Sequence, residues 1–522
     1  MKKYLTALNI VFAVEVIVVA LVSLGLIPRE AVLALTGLMI FYIIFSPVED
    51  SLQLTIMSIP FFVALPISES FDSMANWRIL IATLFLCLFF KKGISAIIIK
   101  DSEGRYHMKE KFKHYSVEYL ILWFLIIASL SILAASYKIL AIKKFLFLGN
   151  ILILFVIIRN MGRKKEVILN MLKSAAVGGA AVIAVSLIQL IVSFFVSLYD
   201  FWQFWAGKVI MAFYGHNLSE LLAHSNTWFS YFLDKPPILR IFSVFPDSHS
   251  LAMFSVFSLP IFLGLAIYYG EEKRKKTFFW VLAGLALLGT VLSGSRGVWL
   301  TFIPVLVLTI YLFFWKKISR FFTKRALFSL LIFAALFILS SFYAPLYYKS
   351  QSLQGKIDKD ALGLFSRAKS ISDLNEISNK TRVQIWGVSL KSIGQHPFLG
   401  VGLGNYVTVL NEDASAAKRG ASAHNLYLDF AAETGILGAL LLILIFLEIL
   451  RTSWLVFRYS DEPYFKMLGL TFGLYFLWAM IYSLFDVVLL NDKVLLFFVA
   501  GVAVLYSIRA LAPDIEKNKN SI

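Results

Sequence analysis

Long apolar windows alternate along the chain with short charged clusters, and the windows fall near 6–27, 31–45, 52–66, 77–90, 116–135, 145–158 and 174–198, then 251–269, 277–292, 298–314, 326–343, 425–450, 467–485 and 494–508. A helix needs roughly 20 residues to cross a hydrocarbon core about 30 Å thick. In that medium every backbone polar group must be satisfied within its own segment, so the windows read as helices. The second to fourth and the sixth are short for a crossing, and Pro60 and Pro66 interrupt the third. The pattern therefore predicts an all-α polytopic membrane protein with about 12–14 transmembrane helices. The opening window is too long for a signal peptide and lacks a small-residue cleavage site, so it is expected to be a retained span.

Composition agrees. Of 522 residues, 59% are hydrophobic and 16% charged, which excludes an ordinary soluble domain. The net charge of +17 could suggest a nucleic-acid partner, but its placement argues for topology. Lys91 and Lys92 through Lys113, Arg159 to Lys165, Lys273 to Lys276 and Lys316 to Arg325 all fall on the side of Lys2 and Lys3 if there are fourteen spans. That is the positive-inside pattern, with both termini cytoplasmic, membrane lipid as the charge's partner and no nucleic acid. The single cysteine, Cys87, lies within a span and excludes a disulfide framework.

Two large extracytoplasmic loops divide the chain. The expected units are N-terminal helices (1–198), an aromatic loop (199–250), central helices (251–343), a long loop (344–424), and C-terminal helices with a cytoplasmic tail (425–522). The aromatic loop carries Trp202, Trp205 and Trp228 among other rings, which suit the headgroup layer. The long loop is hydrophilic around Lys356 to Lys369, then helical in period from Val383 to Ile393. No internal repeat is found, which counts against an inverted-repeat transporter.

Three short elements could carry chemistry. Ser293, Gly294, Ser295, Arg296 and Gly297 join two spans, and an arginine at such a boundary is costly unless it meets a partner or water. Arg382 and Trp386 precede Pro397, Gly400, Gly402 and Gly404, whose backbone N–H groups could face phosphate oxygens. His424 and Asn425 open a long apolar helix that continues through Glu433 and Gly435. A histidine there sits beside free N–H groups and the positive helix end, which favours a neutral, proton-accepting imidazole. Each element has a plainer reading: a tight turn, a glycine-rich turn and a helix cap.

Taken in order, Ser-Arg-Gly, Arg-x-x-x-Trp, Pro-x-x-Gly-x-Gly and His-Asn-x-x-Leu with Glu-x-Gly resemble the O-antigen ligase superfamily of integral membrane glycosyltransferases. The resemblance covers roughly residues 240–438 and includes the run from Arg240 to Ser250, where Ser243 replaces a usual glycine. It implies an undecaprenyl-diphosphate-linked glycan as donor and a glycan or lipid-linked acceptor, in the bacterial inner membrane, with the site facing the periplasm or cell exterior. It also implies His424 as general base or acceptor-orienting group and Arg296 and Arg382 as a diphosphate clamp, supported by Arg240, Ser295, Asn425 and Glu433. Planar guanidinium forks can bind a diphosphate bidentately and stabilise it as it leaves, so neither cofactor nor metal is expected.

Metal chemistry has two candidate sets. Asp358 and Asp360 form an Asp-x-Asp, but Lys356 and Lys359 flank them as in a solvated charge run; His216, His224 and His249 match no standard zinc spacing. Outside the polysaccharide ligase and polymerase readings stand a protein O-oligosaccharyltransferase of the same superfamily and a transporter or flippase for a lipid-linked sugar. A transporter would place ionisable groups near the bilayer midplane, where Glu15 and Glu433 are the candidates.

Overall fold

The computed structural model describes residues 6–68, 71–93, 117–224, 227–232, 235–315, 318–343, 346–347, 377–410 and 422–511. Asp358, Asp360 and their flanking lysines lie outside the described residues, as do Lys2, Lys3, Lys109, Lys111, Lys113, Lys316 and Lys317. The helices are α1 (Ala7–Ser23), α2 (Ala31–Phe45), α3 (Val48–Met57), α4 (Trp77–Lys92), α5 (Val117–Ser131), α6 (Lys138–Met161) and α7 (Lys165–Val192). Short helices α8 (Leu198–Phe204), α9 (Met211–Tyr214) and α10 (His216–Ala223) follow. Then come α11 (Ser248–Tyr268), α12 (Lys273–Leu292), α13 (Arg296–Phe314), α14 (Arg320–Leu339), α15 (Ile377–Gln395), α16 (Tyr406–Val409), α17 (Leu426–Tyr459), α18 (Pro463–Tyr482) and α19 (Asp492–Leu511).

Ten of these, α5 to α7, α11 to α14 and α17 to α19, are long and apolar enough to cross a membrane, and α1 and α2 are shorter apolar helices. The protein is an all-α polytopic membrane protein. All fourteen apolar windows fall on helix, but the third does not run as one. Helix α3 has 10 residues, about 15 Å at 1.5 Å per residue, and gives way to a 3-10 turn at Ile59–Phe61 containing Pro60. The chain then forms a two-residue antiparallel pairing of Ala64–Leu65 (β1) with Met74–Ala75 (β2). A second small hairpin pairs Phe229–Phe232 (β3) with Lys235–Leu239 (β4).

Helix α11 is the axis of the bundle. Of its apolar window 94% is buried, because α7, α12, α18 and α19 pack around it. A helix apolar on every side belongs at such a centre. Asp247 caps it, accepting the Ser250 N–H at 2.7 Å, and so delivers His249 in the first turn. The aromatic loop is packed rather than splayed. Trp228 and Phe242 stack with centroids 4.2 Å apart, and Phe201 and Trp205 are buried against them, while Tyr199 and Phe204 stay exposed.

Helix α17 is not continuous. Gly435 has φ 75° and ψ 176°, so residues 426–434 form a short helix that turns into the long apolar one. Such a conformation excludes a side chain in practice. A Cβ there would also collide with the Phe398 carbonyl of the Pro397–Gly404 turn, which fills the break.

Candidate active site

Four segments meet at one end of the bundle: the strand end at Arg240, the start of α11, the Ser293–Arg296 turn and the end of α18. Arg240 is buried. Its Nε donates to the Ser293 carbonyl at 3.0 Å, one Nη to the Thr227 carbonyl at 3.3 Å, and the other Nη contacts His249 Nε2 at 2.9 Å. A guanidinium can only donate, so Nε2 accepts and the neutral ring carries its proton on Nδ1. Nδ1 lies 2.7 Å from the Tyr482 hydroxyl and 2.9 Å from Ser295 Oγ. The Tyr482 hydroxyl donates in turn to Asp486 Oδ2 at 3.2 Å. Protons are thus oriented in one direction, from Arg240 through His249 and Tyr482 to the carboxylate of Asp486. Gly294, at φ 64°, keeps the turn clear, since a Cβ there would stand 3.2 Å from Arg240 Cγ.

Burial lowers the Arg240 pKa from the ordinary guanidinium value; Tyr482, Asp247 and Asp486 oppose this and Arg296 adds to it. Arg296, half-buried at the first position of α13, is therefore in the same electrostatic neighbourhood. Burial likewise raises the carboxyl of Asp247.

His424 belongs to the same neighbourhood through Asp486. It has φ 47°, a left-handed conformation rare for a residue with a side chain. The preceding residue is fixed at both of its peptide groups: the Ala423 N–H donates to Asp429 Oδ1 at 3.0 Å, and the Ala423 carbonyl accepts from Trp386 Nε1 at 3.0 Å. The Leu426 N–H donates to the Ser483 carbonyl at 2.8 Å, next to Tyr482. Burial pulls the His424 imidazole below its ordinary pKa, Asp486 pushes it up and Arg382 pushes it down. Asp486 therefore acts on both His424 and Arg240. Arg382 lies one helical turn before Trp386 on α15, so the same helix that holds the histidine loop also brings a guanidinium to it.

The structure gives other residues different work. Asn425 is the cap of α17, its Oδ1 accepting from Tyr427 and Leu428 N–H at 3.0 and 3.1 Å. Glu433 faces Lys144 of α6 at 2.6 Å instead of His424. The glycine-rich turn docks backbone on backbone. The Val401 N–H donates to the Ala432 carbonyl at 2.8 Å and the Leu403 N–H to Ser131 Oγ at 3.2 Å, and a Cβ at Gly402 would lie 2.5 Å from Ala135 Cα. Of the glycine N–H groups, that of Gly400 donates to the His396 carbonyl at 3.1 Å. Of the three loop histidines, His216 pairs with Glu220 at 3.8 Å and His224 Nδ1 lies 2.9 Å from the Glu220 carbonyl, away from His249. Among the described residues no three His, Cys, Asp or Glu side chains gather as a metal-binding group.

Sequence reasoning meets His249 only within the Arg240–Ser250 run and as a discounted zinc candidate, and it does not single out Tyr482 or Asp486. The available signal is their position, since each stands at the end of an apolar helix where a buried polar group needs a reason.

Residues 281–443 match a family model described as O-antigen ligase. That stretch contains Ser295, Arg296, Arg382 and His424, whereas Arg240, His249, Tyr482 and Asp486 flank it. No curated protein matches the chain. Over that segment the chain is similar to the O-antigen ligase family, and its ten long apolar helices make it a multi-pass membrane protein.

Proposed function

We propose that the protein transfers a glycan from undecaprenyl diphosphate to an acceptor hydroxyl, on lipid A core or a growing polysaccharide chain, at the extracytoplasmic face of the bacterial inner membrane. The observation that supports this reading is that Asp486 acts on both Arg240 and His424, while Arg296 acts on Arg240 and Arg382 on His424. Neutral His424 takes the proton of the acceptor hydroxyl as its oxygen bonds to the anomeric carbon. The bond from that carbon to the diphosphate oxygen breaks, and undecaprenyl diphosphate leaves with the electron pair. Asp486 favours the imidazolium formed, and Arg296 and Arg382 hold the charge gathering on the leaving group. Guanidinium groups supply this compensation bidentately, in the place a divalent ion takes in other transferases.

Purified protein assayed with a synthetic undecaprenyl-diphosphate-linked oligosaccharide tests the clamp. Arg296→Lys and Arg382→Lys should each weaken donor binding and transfer by about tenfold or more, because a point charge does not reproduce the planar fork. Wild-type transfer should persist in excess chelator. Lysine variants with normal transfer, or transfer abolished by chelation and restored by Mg²⁺, would overturn this account and bring Asp358 and Asp360 back into consideration.

A further inference from the structure

Beside the proposed site lies a buried ionic group that the transfer does not use. Lys144 Nζ from α6 is 2.6 Å from Glu433 Oε2 and 3.8 Å from Asp429 Oδ2, and both carboxylates are almost wholly buried. Asp429 and Glu433 are four residues apart on one face of the short helix before the Gly435 break. Like charges at that spacing repel, and burial makes the excess charge costly. A fold staple would need one acid for one lysine. The second acid has a visible role, because Asp429 Oδ1 accepts the Ala423 N–H at 3.0 Å. The next peptide, between Ala423 and His424, is held through its carbonyl by Trp386 at 3.0 Å and through its N–H by Ser422 Oγ at 3.3 Å. The plane of that peptide sets φ of His424, and a φ of 47° persists only where its surroundings impose it.

The same place is where the first half of the chain docks. A Cβ at Gly404 would stand 3.3 Å from Lys144 Cβ, and Asn405 Oδ1 accepts the Tyr137 N–H at 2.7 Å. Lys144 lies outside the segment matched by the family model.

We propose that Lys144 and Asp429 are positioning residues for His424, the lysine holding the carboxylate that fixes the Ala423 peptide and thereby the histidine's left-handed backbone. This rests on the reading of His424 as the base. Without Lys144 the two carboxylates repel or take up a proton, the charge-assisted bond to Ala423 weakens, and the imidazole drifts from the acceptor. Misplacement by about 1 Å can cost on the order of 10²-fold in rate.

The test is a double-mutant cycle on purified protein, reading undecaprenyl diphosphate released from the synthetic donor with a membrane extract as acceptor source. Lys144→Met should lower kcat by about 10- to 100-fold with donor affinity unchanged, and Lys144→Arg should recover most of it. Glu433→Gln should cost clearly less than Lys144→Met, because Lys144 then serves Asp429 alone. In a His424→Ala background, Lys144→Met should add no more than about a twofold further loss, since a positioning residue has nothing left to position. Equal loss in both backgrounds, equal loss in Glu433→Gln and Lys144→Met, or a normal kcat in Lys144→Met would each overturn the proposal. If Lys144→Met does not accumulate, Asp429→Asn carries the same cycle with the same expected non-additivity. A near-normal rate in His424→Ala would instead remove the base reading itself, whereas loss there beside a normal Lys144→Met removes only the positioning role.

Discussion

Two residues with side chains, Ser243 and His424, adopt left-handed backbone among the described residues, and they use it differently. Ser243 is fully buried. Gln189 Oε1 accepts both the Phe242 and Ser243 N–H groups, at 2.8 and 2.9 Å, and Ser243 Oγ donates to the Val182 carbonyl at 2.9 Å. Its strain is absorbed by a closed set of bonds that pins the Arg240 strand to α7. His424 is half-buried, and the bonds that impose its conformation lie on Ala423, Leu426 and its own backbone N–H, leaving the imidazole under the influence of Asp486 and Arg382. Comparable conformational costs of about 1–3 kcal/mol thus support a fold corner in one place and present a titratable ring in the other. A strained residue held through its own side chain reads as architecture; one held through its neighbours, with its side chain left over, reads as function.

The contrast can be broken hardest at Ser243. Ser243→Val puts a β-branched residue at φ 54° in a filled site and should cost about 2–4 kcal/mol, seen as a large fall in thermal stability in detergent. Ser243→Gly should stay within about 1 kcal/mol of wild type, relief of strain offsetting the lost hydroxyl bond, with transfer retained. A smaller effect is expected at Asn425, whose replacement by alanine removes the α17 cap and should cost about 0.5–2 kcal/mol, with transfer per folded molecule less affected than stability. The smallest is a shift of the pH profile. Burial holds His424 below the ordinary imidazole value of 6.5, so transfer should fail on the acid side only below that value. Asp486 raises the His424 pKa, and Asp486→Asn should therefore move the acid limb further down. An upward shift would contradict the arrangement.

Much of the fold is legible in the sequence because lipid imposes a simple rule on helix length and polarity. The window 31–45 and helix α2 coincide, and Pro60 marks where the third window breaks. Helices α6 and α7 extend beyond their windows, since Lys138, Lys143, Lys144 and Lys165 remain helical though not apolar. The break at Gly435 is not legible: it depends on the Pro397–Gly404 turn arriving from elsewhere and packing its backbone against the break. Arg240 and Arg382 stand out in the sequence only through the family resemblance, and Ser295, Arg296 and His424 also because charged and polar groups are rare at the ends of apolar helices. Glu433 stands out for the same reason, yet its partner Lys144 is 289 residues away. His249, Tyr482 and Asp486 come from separate segments and acquire meaning only as a chain of oriented hydrogen bonds.

The central claim, that His424 acts on the acceptor proton while the arginines hold the donor, is tested most directly by measuring donor binding and single-turnover transfer on the same folded sample of His424→Ala. General-base assistance is worth about 10²–10⁴ in rate, so transfer should fall by that factor with donor affinity near wild type. Near-normal transfer, or a loss of donor affinity that accounts for the whole defect, would contradict it.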